Sequence, residues 1–113
     1  WESHPAERRE VVVFNRRCYE NRYSRAFGDR SYAYAGQVAQ ATPIAPETPC
    51  GELLAACNAA LSSNLNSCLQ NWYEPEHWLG DHRDDERALV PRAPVASVTW
   101  GAARRFTLKP RKK

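Results

Sequence analysis

The stretch NWYEPEHWLGDHRDDE, residues 71–86, decides the fold that we expect of this 113-residue chain. Side chains two positions apart on an extended backbone point to the same side. His82 and Asp84 should therefore present an imidazole and a carboxylate together. These are two of the three protein ligands in the two-histidine, one-carboxylate sites that bind non-haem iron. The spacing predicts a metal site; the alternative is a histidine in a surface loop, because His-x-Asp is a short pattern.

The size of the chain and its termini limit what it can be. At 113 residues it forms at most one domain with a modest core. It begins with Trp1 and contains no methionine, so we expect it to be an internal part of a longer protein. We find no signal-peptide pattern and no apolar run long enough to cross a bilayer. Secreted and membrane-spanning classes are therefore not favoured, and we expect an intracellular protein.

Cysteine spacing and charge give further information about the class of protein. The cysteines fit no common zinc module, so scattered reduced thiols are favoured over a metal site. The net charge is +3, with six basic residues and no acid between Arg104 and Lys113. Such a run can follow the phosphates of a nucleic acid or form a solvated surface, and charge alone leaves both open. The four cysteines are Cys18, Cys50, Cys57 and Cys68.

Local patterns in the first half predict strands and then one helix. Residues 11–14 are β-branched and aromatic, which predicts a strand that turns at Asn15. Tyr32 and Tyr34 alternate with alanines, which indicates a short strand with an aromatic face. The prolines of residues 41–50 predict an extended connector.

A helix is predicted within residues 48–63. Thr48 suits the N-cap and Pro49 the first helical position. Apolar residues from Leu53 to Leu61 recur at helical spacing, which predicts one buried face.

The second half is predicted to be β-rich. The period changes to two between Leu65 and Tyr73, so Asn71 and Tyr73 should share one face of a strand. Residues 95–100 and 104–108 predict two further strands. Strands, one helix and more strands with short connections indicate a β-rich α+β domain.

The ordered set of motifs resembles one family, the AlkB family of iron(II)/2-oxoglutarate dioxygenases. It is most similar to the members that repair alkylated bases in double-stranded DNA. The resemblance covers about residues 11–109, and no single motif decides it. The motifs are Val13-Phe14, Phe27-Gly28-Asp29, Tyr32-Ala33-Tyr34-Ala35-Gly36, Asn71-Trp72-Tyr73, His82-Arg83-Asp84-Asp85-Glu86, Pro94-Val95-Ala96-Ser97 and Gly101-Ala102-Ala103-Arg104-Arg105-Phe106.

The resemblance implies the N-terminal and central part of a double-stranded β-helix, or jelly-roll, dioxygenase domain. Residues 1–10 would be an N-terminal extension and residues 11–113 an incomplete catalytic domain. Within it, residues 11–40 would form a nucleotide-recognition region with a hairpin. Residues 48–63 would form the main helix and residues 64–113 a portion of the catalytic β-core.

The resemblance also implies cofactors and site residues. His82 and Asp84 would bind Fe(II), and Asn71 and Tyr73 would hydrogen-bond 2-oxoglutarate. Asp85 would have a catalytic role in fixing a flipped base, and Glu86 would support that loop. Alternatively, Asn71 and Tyr73 are a buried polar pair bonded to backbone, and Asp85 and Glu86 are solvated acids.

For a substrate, the resemblance implies double-stranded DNA with a flipped, alkylated base. Phe14 would fill the gap that the base leaves, since an inserted aromatic ring recovers part of the cost of extrusion. Tyr32 and Tyr34 would contact the base, and Arg22 a phosphate. Alternatively, Phe14 is a core residue and the tyrosines are ordinary packing residues. We expect a monomer. DNA as the substrate and the terminal sequence KPRKK favour a nuclear location; the alternative for this basic run is contact with phosphates.

The implied activity is oxidative demethylation of N-alkylated bases, with release of formaldehyde and succinate. We expect this chain alone to be inactive, because it lacks the family's distal histidine and its arginine for 2-oxoglutarate. Two alternatives stay open: a non-catalytic nucleic-acid-binding remnant, and a demethylase of RNA or protein. Asn15, Asn21 and Ala35 stand where the family usually has glycine, proline and serine.

Overall fold

The structure is a computed structural model that describes residues 1–29, 32–34, 37–84 and 89–112, with only the backbone described at 32–34 and 37–39. Over these ranges the chain is rich in β-structure and contains one helix, as the sequence predicts. No helix in them is long and apolar enough to span a membrane. In chain order the elements are β1 (Glu10–Val13), β2 (Arg16–Tyr19), β3 (Tyr23–Gly28), β4 (Tyr32–Tyr34), β5 (Gln37–Ala39), β6 (Ala41–Thr42), α1 (Pro49–Leu61) and β7 (Ser67–Trp72).

Strands β1 and β2 form an antiparallel hairpin with a two-residue turn. Val13 pairs with Arg16, which leaves Phe14 and Asn15 as the turn residues. Their φ angles are 49° and 60°, and positive values at both positions define the type I′ turn that matches the twist of a hairpin. Val11 is buried at the base of the hairpin, whereas Phe14 is 96% exposed at its tip. The predicted strand is therefore confirmed, but it ends one residue earlier than expected.

Strand β3 is the centre of a three-stranded sheet with the order β6-β3-β7. It runs antiparallel to β7, from Tyr23 opposite Trp72 to Gly28 opposite Ser67. It runs parallel to the short strand β6. Ala26 of β3 is buried. A strand was predicted at the position of β7, but not at β2 or β3, whose arginines hid the pattern.

Helix α1 begins as the sequence predicts. Thr48 is the N-cap, and its Oγ1 accepts a hydrogen bond from the Gly51 N–H at 3.2 Å, with Pro49 at the first helical position. Gly51 is required because the preceding connector crosses the first turn. A Cβ on it would lie 2.2 Å from the carbonyl oxygen of Ala45 and 2.8 Å from Cα of Pro46. Backbone atoms cannot yield easily, so only glycine fits here.

The turn between α1 and β7 is organised by Asn58. Its Oδ1 accepts from the Leu65 N–H at 2.6 Å, and its Nδ2 donates to the Leu65 carbonyl at 2.9 Å. The helix ends at Ser62, which has a φ of 49°, in the left-handed region that terminates many helices. The predicted buried face is only half-buried at Leu53, Leu54 and Cys57, and it does not include Leu61, which is 46% exposed.

Three of the four cysteines lie close together between α1 and β7. All four are free thiols, as expected, but they are not all scattered. Burial raises the pKa of Cys68 to about 11, and the neighbouring Cys50 and Cys57 thiols contribute to the increase. The effect of Cys50 and Cys57 on Cys68 places this side of α1 near β7.

The N-terminal segment packs against β3 through a row of rings. The Trp1 and His4 rings have centroids 4.5 Å apart, and those of His4 and Tyr23 are 4.3 Å apart. Tyr23 meets the His77 ring edge to face at 5.6 Å. Tyr23 therefore connects the predicted extension to the loop that follows β7.

The strands predicted at 95–100 and 104–108 are absent from the described range 89–112. These residues have no regular structure, and their large apolar side chains are exposed. A strand needs hydrogen bonds to a neighbouring strand, and these residues pair with none of the described strands. The jelly roll that the resemblance implies stays a prediction. The exposed apolar residues are Val95, Val98, Trp100, Phe106 and Leu108.

Candidate functional site

His82 and Asp84 lie side by side in the loop after β7. The Nδ1 of His82 is 2.9 Å from the Gly80 carbonyl. Because a carbonyl only accepts, Nδ1 carries the proton, and in the neutral ring Nε2 keeps its lone pair. Asp84 Oδ1 lies 3.5 Å from that Nε2, and both side chains are about half exposed. A lone pair and a carboxylate oxygen thus face one another.

This donor pair fits a divalent transition metal. Neighbouring ligands at bond lengths of about 2.1 Å in an octahedral site are about 3 Å apart, so only a small movement would bring both onto one ion. A backbone carbonyl that holds the second ring nitrogen is the usual way in which a metal-binding histidine is oriented. The roles of these residues as iron ligands stay predictions.

A second cluster of possible ligands lies nearby but does not fit a metal ion. In the part of the chain that the structure describes, the one group of three close ligand side chains is Glu74, Glu76 and His77. His77 Nδ1 accepts a hydrogen bond from the Glu74 N–H at 3.1 Å, so its Nε2 carries the proton. That protonated Nε2 faces the Glu74 carboxylate at 3.7 Å. The ring therefore offers no lone pair to an ion held by these carboxylates.

Arg104 holds the loop between β7 and His82 from the C-terminal side. Its Nη1 donates to the Glu74 carbonyl at 3.0 Å, and its Nη2 donates to the His77 carbonyl. The guanidinium also lies 5.4 Å from the centre of the Tyr73 ring. Sequence reasoning gave Arg104 no definite role, and the only available signal was its place in the Gly-x-x-Arg-x-Phe motif.

Lys109 makes a second contact from the same segment. Its Nζ pairs with the carboxylate of Asp81, the residue directly before His82. Both side chains are largely exposed, so the pair contributes little stability. Together with Arg104, it places residues 104–109 against the loop that carries the candidate metal ligands.

Asn71 lies on β7 directly opposite Ser24 of β3. Its Oδ1 accepts a hydrogen bond from Nε of Arg22 at 2.9 Å. The Asn71 amide oxygen therefore bonds to a side chain, and not to the backbone as the alternative proposed. Tyr73 follows the end of the strand and is half buried. Their predicted contacts with 2-oxoglutarate stay predictions.

Arg22 faces the interior instead of solvent. It is 5% exposed and pairs with Glu20, which is 6% exposed, at 2.5 Å. A contact with a DNA phosphate would require a different conformation of this side chain. That role stays a prediction, and the pairing with Glu20 and Asn71 is a feature that sequence reasoning missed. The signal was Glu-x-Arg-x-Ser at 20–24, an alternation of polar residues.

The structure describes the remaining residues predicted to bind substrate to different extents. Phe14 stands at the tip of the β1–β2 hairpin and is 96% exposed, which excludes the alternative of a core residue. Tyr32 and Tyr34 belong to β4, as predicted, but their side chains lie outside the described part. Asp85 and Glu86 lie wholly outside the described residues.

An open cleft of about 230 Å³ lies beside the hairpin. Val11 and Val13 form part of one wall, Trp78 lies on another, and Arg22 contributes to the lining. The Trp78 N–H donates to the Asn21 carbonyl at 3.1 Å, which fixes the loop against the chain leading into β3. The cleft extends to Gly80, two residues before His82.

Comparison with known proteins shows the family to which the chain belongs. Residues 1–113 match the profile of the 2OG-Fe(II) oxygenase superfamily, and the chain belongs to that superfamily. The predicted resemblance to AlkB-like members is confirmed by three relatives, each called DNA oxidative demethylase ALKBH2. The mouse protein is 34% identical over 104 residues, which are 88% of this chain and 42% of the relative.

The other two relatives extend the comparison to a plant. The human protein is 31% identical over 103 residues, with 88% of this chain and 38% of the relative covered. The Arabidopsis thaliana protein is 32% identical over 113 residues, with 96% of this chain and 36% of the relative covered. The chain thus spans about two fifths of the length of these relatives.

Proposed function

We propose that this chain belongs to an oxidative DNA demethylase that removes alkyl groups from the nitrogen atoms of bases. The single observation that carries the proposal is the pair of His82 Nε2 and Asp84 Oδ1, which face each other at 3.5 Å. The superfamily supports Fe(II) and 2-oxoglutarate as the cofactors. The names of the relatives support DNA as the substrate.

His82 and Asp84 would hold the iron, and Asn71 and Tyr73 would hold 2-oxoglutarate beside it. Bound iron and 2-oxoglutarate activate dioxygen for hydroxylation of the N-methyl carbon, with succinate and CO₂ formed from the cosubstrate and formaldehyde lost from the product. The protein's own contribution is to orient these groups and to leave metal positions open. The hydrogen bond to Gly80 keeps the His82 lone pair directed toward Asp84.

Phe14 supports the proposal that the DNA is double-stranded. A ring at the tip of a hairpin, 96% exposed, can enter the gap that a flipped base leaves. By resemblance, we assign the flipped base to contacts with Tyr32, Tyr34, Asp85 and Glu86. We also propose that the protein works as a monomer in the nucleus, where its substrate lies.

The test uses the complete gene product, supplied with Fe(II), 2-oxoglutarate and a synthetic duplex that contains one N-methylated base. We expect formaldehyde and succinate in equal amounts. Asp84→Asn should abolish both, because the neutral amide is a poor ligand for iron. Asp81→Asn is the matched control, since that carboxylate pairs with an exposed lysine and should not be required. No succinate from wild type, or full activity in Asp84→Asn, would overturn the proposal.

We further infer that the 113-residue chain by itself does not turn over. The described residues bring His82 and Asp84 together with no third side chain that fits the same ion. The same observation favours one alternative, a module that binds nucleic acid without catalysis. Duplex binding by the complete gene product that is unchanged by a chelator, together with no product, would favour the module. Succinate from the isolated chain would refute the inference.

A further inference from the structure

A row of bonded polar side chains lies where the chain enters β3. Glu20 and Arg22 precede the strand and Ser24 lies within it, and the contacts between their side chains join the three. Ser24 Oγ donates to Glu20 Oε1 at 2.8 Å, and Glu20 Oε2 pairs with Arg22 Nη2 at 2.5 Å. Asn71 joins the row from β7, in register with Ser24.

This row is buried, which makes its role different from that of a surface ion pair. Arg22 and Glu20 are 5% and 6% exposed. A buried ion pair often stabilises a fold no better than apolar residues of the same size, so its value commonly lies in fixing one arrangement. Here the arrangement that it fixes is that of Asn71.

Arg22 determines which way the Asn71 carboxamide points. A guanidinium can only donate, so at 2.9 Å from Arg22 Nε the amide must present its oxygen, Oδ1. The Nδ2 group, which is the donor, is then directed away from Arg22. A carboxylate accepts hydrogen bonds and cannot donate them, so only the Nδ2 end of Asn71 can bind one.

We propose that Arg22 is a positioning residue that, held by Glu20, fixes Asn71 with its Nδ2 group available to the carboxylate of 2-oxoglutarate. This inference rests on the proposed function, since it assigns Asn71 to that cosubstrate. It also replaces a phosphate contact as the role of Arg22. Without Arg22 the amide can rotate by half a turn and present its oxygen to the carboxylate.

The first test compares Arg22→Lys with Arg25→Lys in the complete gene product. Lysine keeps a charge for Glu20 but lacks the planar fork that reaches Asn71. Arg25 is the matched control because it lies three residues further on, in β3, and is exposed. We expect the dissociation constant for 2-oxoglutarate, measured calorimetrically with Mn(II) in place of iron, to rise about tenfold for Arg22→Lys and not for Arg25→Lys. Equal affinity in Arg22→Lys and wild type would overturn the inference.

A double-mutant cycle tests whether Arg22 acts through Asn71. If it does, adding Arg22→Lys to Asn71→Ala should cause no further loss of 2-oxoglutarate affinity. An undiminished further loss would refute action through Asn71. Nuclear magnetic resonance of the Asn71 side-chain amide provides a readout without metal, because its two Nδ2 protons should change shift in Arg22→Lys and not in Arg25→Lys. Unchanged shifts in Arg22→Lys would also refute it.

A third variant separates positioning from a phosphate contact. Glu20→Gln with Arg22→Met removes both charges together and so leaves no unpaired buried charge. We expect weaker binding of 2-oxoglutarate and an unchanged salt dependence of duplex binding. A loss of about one unit of salt slope with normal 2-oxoglutarate affinity would instead identify Arg22 as a phosphate contact. If wild type itself does not bind 2-oxoglutarate, the proposed function fails, which is a distinct result.

Discussion

Replacing Phe14 with asparagine should stabilise the protein and lower its activity on duplex DNA. Its φ of 49° lies in the left-handed region, which is unfavourable for an aromatic residue. Asparagine is among the residues that the first position of a type I′ turn prefers. Because the Phe14 side chain is 96% exposed, little packing is lost on substitution. Relief of a strain of this kind, about 1 kcal/mol, should make Phe14→Asn about 0.5–1 kcal/mol more stable.

The effect on repair should have the opposite sign. Stacking of an aromatic ring on a base contributes about 1–3 kcal/mol, which corresponds to a fall of about 5- to 150-fold in kcat/KM when the ring is removed. This loss applies to a duplex, where the flipped base leaves a gap. In a single strand there is no such gap, so we expect less than about a twofold change there.

The assay measures formaldehyde release from one methylated oligonucleotide, alone and annealed to its complement, and urea unfolding of the same preparations. Phe14→Ala separates the two effects, since alanine removes the ring but gains little in the turn. Val12→Ala is the control for loss of an exposed apolar side chain from the same hairpin. Equal losses of activity on single-stranded and duplex DNA would refute the role of Phe14. Lower stability of Phe14→Asn would refute the argument from strain.

Three further predictions concern the fold around α1. Gly51→Ala should destabilise the protein by about 1–3 kcal/mol in urea unfolding, because the new Cβ would lie 2.2 Å from a backbone oxygen. Alanine favours helices, so increased stability would show that this close contact does not form. Asn58→Ala should lower the free energy of unfolding by about 2 kcal/mol in the same measurement, since two hydrogen bonds to Leu65 are lost. A loss near zero would show that these two hydrogen bonds do not stabilise the turn. With its pKa raised from 9.0 to about 11, Cys68 should be alkylated far more slowly than the exposed Cys18 at pH 8, as followed by mass spectrometry. The same shift should lower the free energy of unfolding as the pH rises from 9 to 11, because the folded state holds the thiol proton more tightly than the unfolded state. Alkylation of Cys68 as fast as that of Cys18 would contradict the burial of Cys68. So would a free energy of unfolding that does not change with pH in that range.

Local signals in the sequence were sufficient for α1 and β7. The N-cap at Thr48 and the proline after it act within one turn, so the start of the helix follows from neighbouring residues alone. The change to a period of two after Leu65 likewise predicted the strand that forms at Ser67–Trp72. The N-terminal motif around Phe14 predicted a hairpin only by resemblance, because β2 is polar on both faces.

Alternation alone failed where a strand needs a distant partner. Residues 95–108 have apolar residues in a pattern typical of strands, yet no strand forms there in the described range, because these residues pair with none of the described strands. The opposite error occurred at β3, where arginines concealed a strand. Arg22, directly before this strand, bonds to Asn71, which is 49 positions away, and hydropathy carries no information about such a contact.

The difference between local contacts and contacts remote in sequence also explains how much of the candidate site could be predicted. His82 and Asp84 are two positions apart, so an extended backbone is enough to bring them to the same side, and the structure places Nε2 and Oδ1 3.5 Å apart. The groups that orient the surrounding loop are remote in sequence: Arg104 bonds to the carbonyl of His77, 27 residues earlier. A motif can therefore identify the atoms that would touch a metal ion, whereas the residues that hold those atoms in place are found only when the chain is folded. This is why the sequence did not reveal the positioning role that we propose for Arg22, for which the resemblance implied a phosphate contact instead.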